Sequence, residues 1–238
     1  MHQQLVFDLV APEPPSFGNF VPGRNGELVA VLTRIAAGAT GETGLLIWGA
    51  AGVGKTHLLR AMVAAAVARG AGASLLATPG ELLATDAETL ARHSLVAVDA
   101  IDEASVEAQA RLFTLFNALK ASGGQLVAAS RAAPAALPVR EDLRTRLGWG
   151  LVYELLPLTD AEKPEALAAY ARARGFSLSA EVIDYLLAHG RRDMATLVGA
   201  LAELDRRSLA TKRPITVPML REWLQHEAPL ETRGHDSQ

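Results

Sequence analysis

A glycine-rich stretch between an apolar run and a helix constrains this chain more than any other feature. Residues 46–57 read LIWGAAGVGKTH, in which Gly49, Gly54, Lys55 and Thr56 fill the pattern G-x-x-x-x-G-K-[ST], with Gly52 as a further turn residue. Glycines let backbone amides turn inward around phosphate oxygens, and the helix that follows adds unpaired N–H groups and the positive end of its dipole. A chance Lys-Thr after a glycine turn is the alternative, but the position between strand and helix favours a phosphate-binding loop.

The loop predicts contacts with a nucleotide and with magnesium. Lys55 is expected to reach the terminal phosphates and Thr56 to ligate Mg²⁺. The stretch LVAVD puts Asp99 after four apolar residues, at the end of a buried strand, where it would hold the same ion through water. A surface-loop aspartate is the alternative for Asp99.

The position after Asp99 bears on hydrolysis. Many nucleotide hydrolases carry an acid there to orient the attacking water, and here the residue is Ala100. Asp102 and Glu103 follow two and three residues after Asp99, where their side chains would not automatically point at the γ-phosphate. The sequence therefore predicts a site that is better at binding a nucleotide than at hydrolysing it.

Strands and helices alternate through the first two thirds of the chain, which predicts an α/β fold with a parallel sheet covered by helices on both faces. The predicted strands lie at 43–49, 73–79, 93–102 and 125–131, and the predicted helices at 27–37, 55–72 and 106–124. After LVYELLPLT the sequence pattern no longer predicts strands, and it predicts four helices, at 160–175, 179–189, 193–209 and 217–226. A small all-α domain is therefore expected to follow the α/β body.

Composition limits the partners. With a formal net charge of −3, the chain has no general attraction to nucleic acid or to an anionic membrane, so contact with DNA would need a local basic patch or another protein. The absence of cysteine excludes disulfides, thiolate metal sites and a cysteine nucleophile. No secretory signal or membrane-spanning run is recognisable, so a cytoplasmic location without a membrane partner is expected.

The N-terminal stretch QLVFDL alternates apolar side chains at Leu5, Phe7 and Leu9 behind Gln4. The alternation suits an edge strand of the body, whereas the prolines of the following APEPPS favour a tethered peptide that docks in an extended form on a partner. The residues alone leave both interpretations open.

Six segments, in order, resemble the DnaA family of the AAA+ class. They are FGNFVPGRN, GKTHLL, AVDAID, LVAASR, LRTRLGWGLVYELLPLTDAEK and GRRDMATLVGAL. DnaA continues into a DNA-reading helix-turn-helix domain, whereas this chain stops soon after LREWLQHEAPL, and QLVFDL looks like a sliding-clamp-binding peptide. These features are similar to those of the short, Hda-type members of the family, and the resemblance covers residues 4–226.

The resemblance implies roles for particular arginines. Arg146 matches an arginine finger that acts in trans on a neighbouring subunit's nucleotide, with Arg144 ranked second. Arg192 matches the second-sensor arginine, with Arg191 as a less favoured substitute. Ser130 stands at the first-sensor position, although the family often has Asp before the Arg there. The resemblance implies ADP or ATP with Mg²⁺ as cofactors, and the predicted nucleotide-binding set is Gly49, Gly52, Val53, Gly54, Lys55, Thr56, His57, Asp99, Ser130 and Arg192, in which His57 is expected to be structural.

Residue chemistry alone gives Arg146 a plainer interpretation. It could pair with Glu141 or Asp142, or stack on Trp149, because surface ion pairs and cation–π contacts are common. Arg192 opens a helix, where the dipole mildly disfavours a cation, and a nearby anion such as a nucleotide phosphate would offset that cost.

The resemblance implies a regulatory adaptor that binds adenine nucleotide and the sliding clamp, through Gln4, Leu5, Phe7 and Leu9, and stimulates hydrolysis of DnaA-bound ATP. It would contact DNA only through the clamp, and it could form a homodimer. The alternatives are a DNA-acting AAA+ ATPase, which ten basic against ten acidic residues over 156–227 support little, and a small-metabolite P-loop kinase. The expected divisions are a tail and linker at 1–15, an AAA+ domain at 16–157, a helical lid at 158–228 and a disordered tail at 229–238.

Overall fold

Five parallel strands form one sheet in the computed structural model, which describes residues 14–39, 41–190 and 193–227. In chain order they are β1 (Gly44–Trp48), β2 (Ala73–Leu76), β3 (Leu95–Val98), β4 (Gln125–Ser130) and β5 (Leu151–Glu154). Their order across the sheet is β2-β3-β4-β1-β5. Because the strands are parallel, the carboxyl ends of β1, β3 and β4 lie together at one edge.

Six helices belong with the sheet and four follow it, within the described residues. The first six are α1 (Gly26–Ala36), α2 (Lys55–Ala68), α3 (Glu81–Ala84), α4 (Ala87–Ala91), α5 (Val106–Ser122) and α6 (Glu141–Trp149). The last four are α7 (Lys163–Ala173), α8 (Ala180–His189), α9 (Met194–Thr211) and α10 (Val217–Glu227). The predicted α/β fold with a helix-flanked parallel sheet and a helical region after it is confirmed.

Alternation along the strands divides the core into two layers. Leu46 of β1 packs on the face that α5 and α6 cover, whereas Leu45 and Ile47 pack on the face that α1 and α2 cover. Each of these three side chains is at most 2% exposed. Apolar burial on both faces is what a central parallel strand requires, and it holds the carboxyl end of β1 rigidly in place.

The sequence analysis missed β5 and three helices. In β5, Leu151 and Val152 are both exposed, so this edge strand lacks the buried run by which the other strands were recognised. α3 and α4 have four and five residues, which is too short for a helical period to show. α6 buries only Leu143 and Leu147 among charged neighbours, so its apolar stripe is narrow.

The described chain forms two compact units. One comprises residues 15–163 with 193–195, and the other comprises residue 14, residues 164–190 and residues 196–227. The boundary at 163/164 lies six residues beyond the 157/158 boundary expected from the sequence. In the second unit, a buried ion pair of 3.2 Å between Arg174 and Asp205 joins the end of α7 to α9. None of the helices in the described ranges combines the length and apolarity needed to span a membrane.

Candidate functional site

Three glycines with positive φ shape the loop between β1 and α2. Gly49, Gly52 and Gly54 have φ angles of 156°, 76° and 107°. A Cβ atom on Gly49 would lie 2.5 Å from the carbonyl oxygen of Leu155, and one on Gly54 would lie 2.8 Å from a ring carbon of Phe20. A side chain at either position would therefore collide with its neighbours, whereas the bare backbone is free to turn its amides towards an anion.

Lys55 is the first residue of α2 and is only 8% exposed. Its Nζ donates to the carbonyl oxygens of Gly49, at 2.6 Å, and Ala50, at 2.7 Å, so the ammonium closes the loop from inside. Burial lowers the pKa of Lys55, while the carboxylates of Asp99 and Asp102 favour its charged form. A cation beside a helix N-terminus and a bare backbone turn suits a phosphate chain.

Thr56 and Asp99 meet where α2 begins and β3 ends. The Thr56 hydroxyl donates to Oδ2 of Asp99 at 2.5 Å, and Oδ1 of Asp99 accepts the backbone N–H of Ala100 at 2.8 Å. Asp99 is 7% exposed, so the expectation of a strand-end carboxylate rather than a surface-loop aspartate fits its position. A hydroxyl and a carboxylate oxygen so close together are a donor set that fits Mg²⁺ at the phosphates.

Asp102 and Glu103, the two acids that follow Ala100, both pair with Arg131, an arginine to which the sequence analysis gave no role. Arg131 lies directly after β4, and its Nε donates to Oδ2 of Asp102 at 2.8 Å. Its terminal nitrogen lies 2.8 Å from Oε1 of Glu103, and its backbone N–H donates to Oδ1 of Asp102 at 3.1 Å. Burial acts to raise the pKa of Asp102, but the hydrogen bonds from Arg131 and the Coulombic attraction to it act the other way, and the pKa is lowered in sum.

Ser130 is fully buried at the end of β4, beside the phosphate loop. Its carbonyl accepts the N–H of Gly49 at 3.2 Å. Its hydroxyl donates to the carbonyl of Ala132 at 3.0 Å and accepts the Ala132 N–H at 2.9 Å. The side chain therefore holds a turn of its own, and its predicted sensor role stays a prediction.

His57 supports the loop from outside. Its Nε2 lies 3.0 Å from the carbonyl oxygen of Ser16, and its ring centroid lies 5.4 Å from that of Phe20. Because a carbonyl can only accept, Nε2 must carry the proton. Burial lowers the pKa of His57, which favours the neutral imidazole. These contacts fit the structural role expected of it. Val53 packs against the core layer that α1 and α2 cover.

Asn25 was also missed by the sequence analysis. This buried side chain accepts the N–H of Leu156 at 2.8 Å, and its amide donates to the carbonyls of Leu156, at 2.9 Å, and Pro22, at 3.0 Å. It therefore fixes the segment before α1 to the chain that leaves β5. The segment carrying Phe20 is thereby held against the phosphate loop.

Arg146 packs on three aromatic rings, those of Phe113, Phe116 and Trp149, which together form an aromatic shelf. Its guanidinium carbon lies 4.8 Å from the ring centroid of Phe113, 5.6 Å from that of Trp149 and 5.9 Å from that of Phe116. Trp149 is 64% exposed, so the shelf opens to solvent. The open cleft has a volume of about 650 Å³ and is lined by Phe113, Arg140, Glu141, Asp142, Thr145, Arg146 and Trp149.

The ion pair considered for Arg146 is not formed within the described part of the chain. Asp142 instead pairs with Arg140 at 2.7 Å, and no carboxylate of these ranges lies within 4.0 Å of a nitrogen of Arg146. Of the two plainer interpretations, stacking on Trp149 is the one that the structure has. Arg144, the second candidate, has neither a ring contact nor an ion pair in the same ranges.

Several predicted site residues lie outside the described residues. These are the second-sensor candidates Arg191 and Arg192 and the four tail residues Gln4, Leu5, Phe7 and Leu9. Their roles stay predictions.

Two family models match parts of the chain. The model for the lid domain of Hda matches residues 160–224, and the model for the bacterial DnaA ATPase domain matches residues 13–87. An uncharacterised protein of Haemophilus influenzae is 34% identical over 230 residues, which cover 94% of this chain and 99% of the relative.

Solved structures of DnaA have the same fold. Domain III of the Thermotoga maritima initiator superimposes with a TM-score of 0.80 at 21% identity, and the match covers 92% of this chain and 98% of that one. AMPPCP-bound DnaA from Aquifex aeolicus superimposes with a TM-score of 0.72 at 22% identity, over 83% of this chain and 66% of that one.

Proposed function

The chain belongs to the Hda-like, DnaA-related AAA+ family, and we propose that it is a regulatory adaptor of chromosome replication. In this proposal it binds ADP or ATP in its own site and attaches to the sliding clamp through the N-terminal tail. It then presents Arg146 to ATP bound on DnaA and stimulates hydrolysis there, which lowers initiation. DNA is reached only through the clamp.

The position of Arg146 relative to β1 carries the proposal. A Cβ atom on Gly44, the first residue of β1, would lie 3.9 Å from the backbone oxygen of Arg146, whereas the phosphate loop leaves the other end of the same strand at Gly49. Five residues of strand span about 16 Å. Arg146 therefore starts at the opposite edge of the sheet from the chain's own phosphate cradle, which favours action on a nucleotide held by another molecule.

The shelf suits Arg146 to this role. A guanidinium on aromatic faces keeps its N–H donors available while its rotamers are restricted, so less entropy is lost when it docks on phosphate. No carboxylate of the described ranges pairs with it, so no ion pair within those ranges has to break first. An arginine finger supplied in trans contributes about 10³–10⁵-fold to nucleotide hydrolysis in other systems.

The chain's own site suits holding a nucleotide. Gly49, Gly52 and Gly54 form a cradle that a Cβ would fill at two of its positions, and Lys55 lies inside it. Mg²⁺ held by Thr56 and Asp99 would neutralise phosphate charge. Ala100 offers no base, and the two acids beyond it are engaged by Arg131. We therefore infer weak intrinsic hydrolysis.

The test is a turnover assay on purified DnaA preloaded with labelled ATP, with clamp-loaded DNA and this chain added. Arg146→Ala is expected to lower the stimulated rate by about 10³-fold, to the level without the chain, because the transition-state charge loses its cation. Arg92→Ala removes an exposed arginine that pairs with Glu88 on α4, and it serves as the control that keeps full activity.

Two further variants test which arginine is the finger and whether the N-terminal tail is required. Arg144→Ala should retain most of the stimulation, so a larger loss there than in Arg146→Ala would reassign the finger. A Gln4→Ala/Leu5→Ala double variant should lose stimulation and fail to capture the clamp, although Arg146 is intact. Full turnover by Arg146→Ala would refute the proposal.

A further inference from the structure

Lys120, an exposed residue in the last turn of α5, contacts the same indole ring as Arg146. Its Nζ lies 6.0 Å from the ring centroid of Trp149, and the guanidinium carbon of Arg146 lies 5.6 Å from the same centroid. Lys120 follows Phe113 by two turns of α5, so one face of that helix carries both a ring of the shelf and this lysine. Trp149 thus has a second cation beside it.

Neither of these two cations is neutralised by a carboxylate in the part of the chain that the structure describes. Other exposed arginines in those ranges do have acidic partners, since Arg92 pairs with Glu88 and Arg140 with Asp142. The helix dipole favours a cation in the last turn of α5 or of α6, but it does not account for two cations on one ring. Like charges held near one another repel, and an anion that bridges them removes this cost.

The surroundings of Trp149 suit an anion that a protein presents. Glu141, which has no ion pair in the described ranges, is the first residue of α6, whereas Trp149 is the last, so about 12 Å of helix separates their backbones. Leu151 and Val152, which follow Trp149 on β5, expose apolar side chains. An exposed aromatic and aliphatic border beside two cations is typical of a protein–protein interface rather than of a site for a free ion.

We propose that Lys120 supplies a second cation, beside Arg146, for the phosphates of the nucleotide that the partner holds, and that Trp149 positions both side chains. The inference rests on the proposed function, in which Arg146 acts on that nucleotide. A triphosphate carries several negative charges along one chain, so the two cations can contact different oxygens of the same ligand. Arg146 would stabilise the charge that develops in the transition state, whereas Lys120 would attract ground state and transition state alike.

This division predicts different kinetic effects for the two cations. Lys120→Gln should raise the concentration of this chain that gives half-maximal DnaA-ATP turnover by about 5–10-fold, and it should change the maximal rate by less than about twofold. Lys120→Arg keeps the charge, so both values should stay within about twofold of wild type. Arg146→Ala should instead remove the maximal rate.

Trp149 should affect both values because it contacts both cations. Trp149→Ala is expected to lower the maximal rate and to raise the half-maximal concentration, each by about 2–5-fold. Trp149→Phe keeps a ring beneath the cations and should restore part of each loss. Equal effects of Trp149→Ala and Trp149→Phe would contradict the positioning role.

The measurement is a titration of the full chain into DnaA preloaded with labelled ATP, with clamp-loaded DNA, at low and at high salt. Salt screens exposed charges, so the difference between wild type and Lys120→Gln should shrink as salt rises. Lys212→Gln is the matched control, because it removes the same charge from an exposed lysine of the other compact unit and should change neither value. Melting curves show that each variant folds.

The outcomes separate this inference from the adaptor proposal. An unchanged half-maximal concentration in Lys120→Gln, or an equal rise in Lys120→Arg, refutes the role of Lys120 even when Arg146→Ala abolishes turnover. A loss confined to the maximal rate in Lys120→Gln contradicts the ground-state attraction assigned to it. If the wild-type chain gives no stimulation, the proposed function fails and this inference fails with it.

Discussion

Ala100 has φ 51° and ψ 40°, a left-handed conformation that its Cβ makes unfavourable by about 1 kcal/mol or more. The conformation turns the chain directly after Asp99 and carries Asp102 back towards Arg131. At the scale of single residues, the site therefore holds strain where many nucleotide hydrolases carry an acid. The strain persists because the hydrogen bonds of Asp99 and Asp102 fix the chain on both sides of the turn.

Replacement of Ala100 by glycine should relieve this strain. Ala100→Gly is expected to stabilise the unit containing residues 15–163 by about 1 kcal/mol, which raises its melting temperature by about 2–4 °C. Ala64→Gly, at an exposed position inside α2, is the matched control and should destabilise by about 0.5–1 kcal/mol. Differential scanning calorimetry measures both. Equal losses in the two variants would show that Ala100 carries no strain.

At the scale of elements, one close backbone approach positions the aromatic shelf, and one set of side-chain hydrogen bonds positions the segment beside the cradle. A Cβ on Gly150, between α6 and β5, would lie 1.9 Å from the carbonyl oxygen of Gly44, so α6 returns to the sheet against the first residue of β1. That approach fixes Arg146 and Trp149 over α5. At the other edge, Asn25 joins the segment before α1 to the chain after β5.

Loss of the Asn25 side chain should loosen that second junction. Asn25→Ala leaves the N–H and carbonyl of Leu156 without their partner, which costs about 2 kcal/mol of unfolding free energy. Amide hydrogen exchange at Leu156 should quicken markedly. Asn25→Asp keeps the acceptor but not the donor, so it should lose less than the alanine variant. Unchanged exchange in Asn25→Ala would contradict the assigned contact.

Some of these features could be predicted from the sequence and others could not, because they differ in how far apart their residues lie along the chain. The phosphate loop was predictable because Gly49–Thr56 are contiguous and the chemistry of a phosphate dictates each residue type. Asn25 and Leu156 meet across 131 residues, and Arg131 and Asp102 across 29, so only the folded sheet brings each pair together. Only one contact of the shelf was predicted from the sequence. Trp149 lies three residues from Arg146 in the same helix, whereas Phe113 belongs to α5.

At the scale of the whole molecule, the sheet-containing unit carries the two regions on which the proposed function rests. The cradle at the carboxyl end of β1 is closed by Lys55 and suits retention of a nucleotide. The shelf near the other end of β1 exposes Arg146 without a carboxylate partner in the described ranges. The proposed adaptor role requires both regions, because one nucleotide would be kept in the cradle and Arg146 would act on a second nucleotide held by the partner.

A single-turnover experiment with asymmetric labelling tests this division most directly. Labelled ATP is bound first to DnaA and unlabelled nucleotide to this chain, and the loading is then reversed, each time with clamp-loaded DNA and excess unlabelled ATP to trap exchange. The account predicts rapid release of labelled phosphate only when the label starts on DnaA. Faster release when the label starts on this chain would contradict the claim that hydrolysis takes place in the partner.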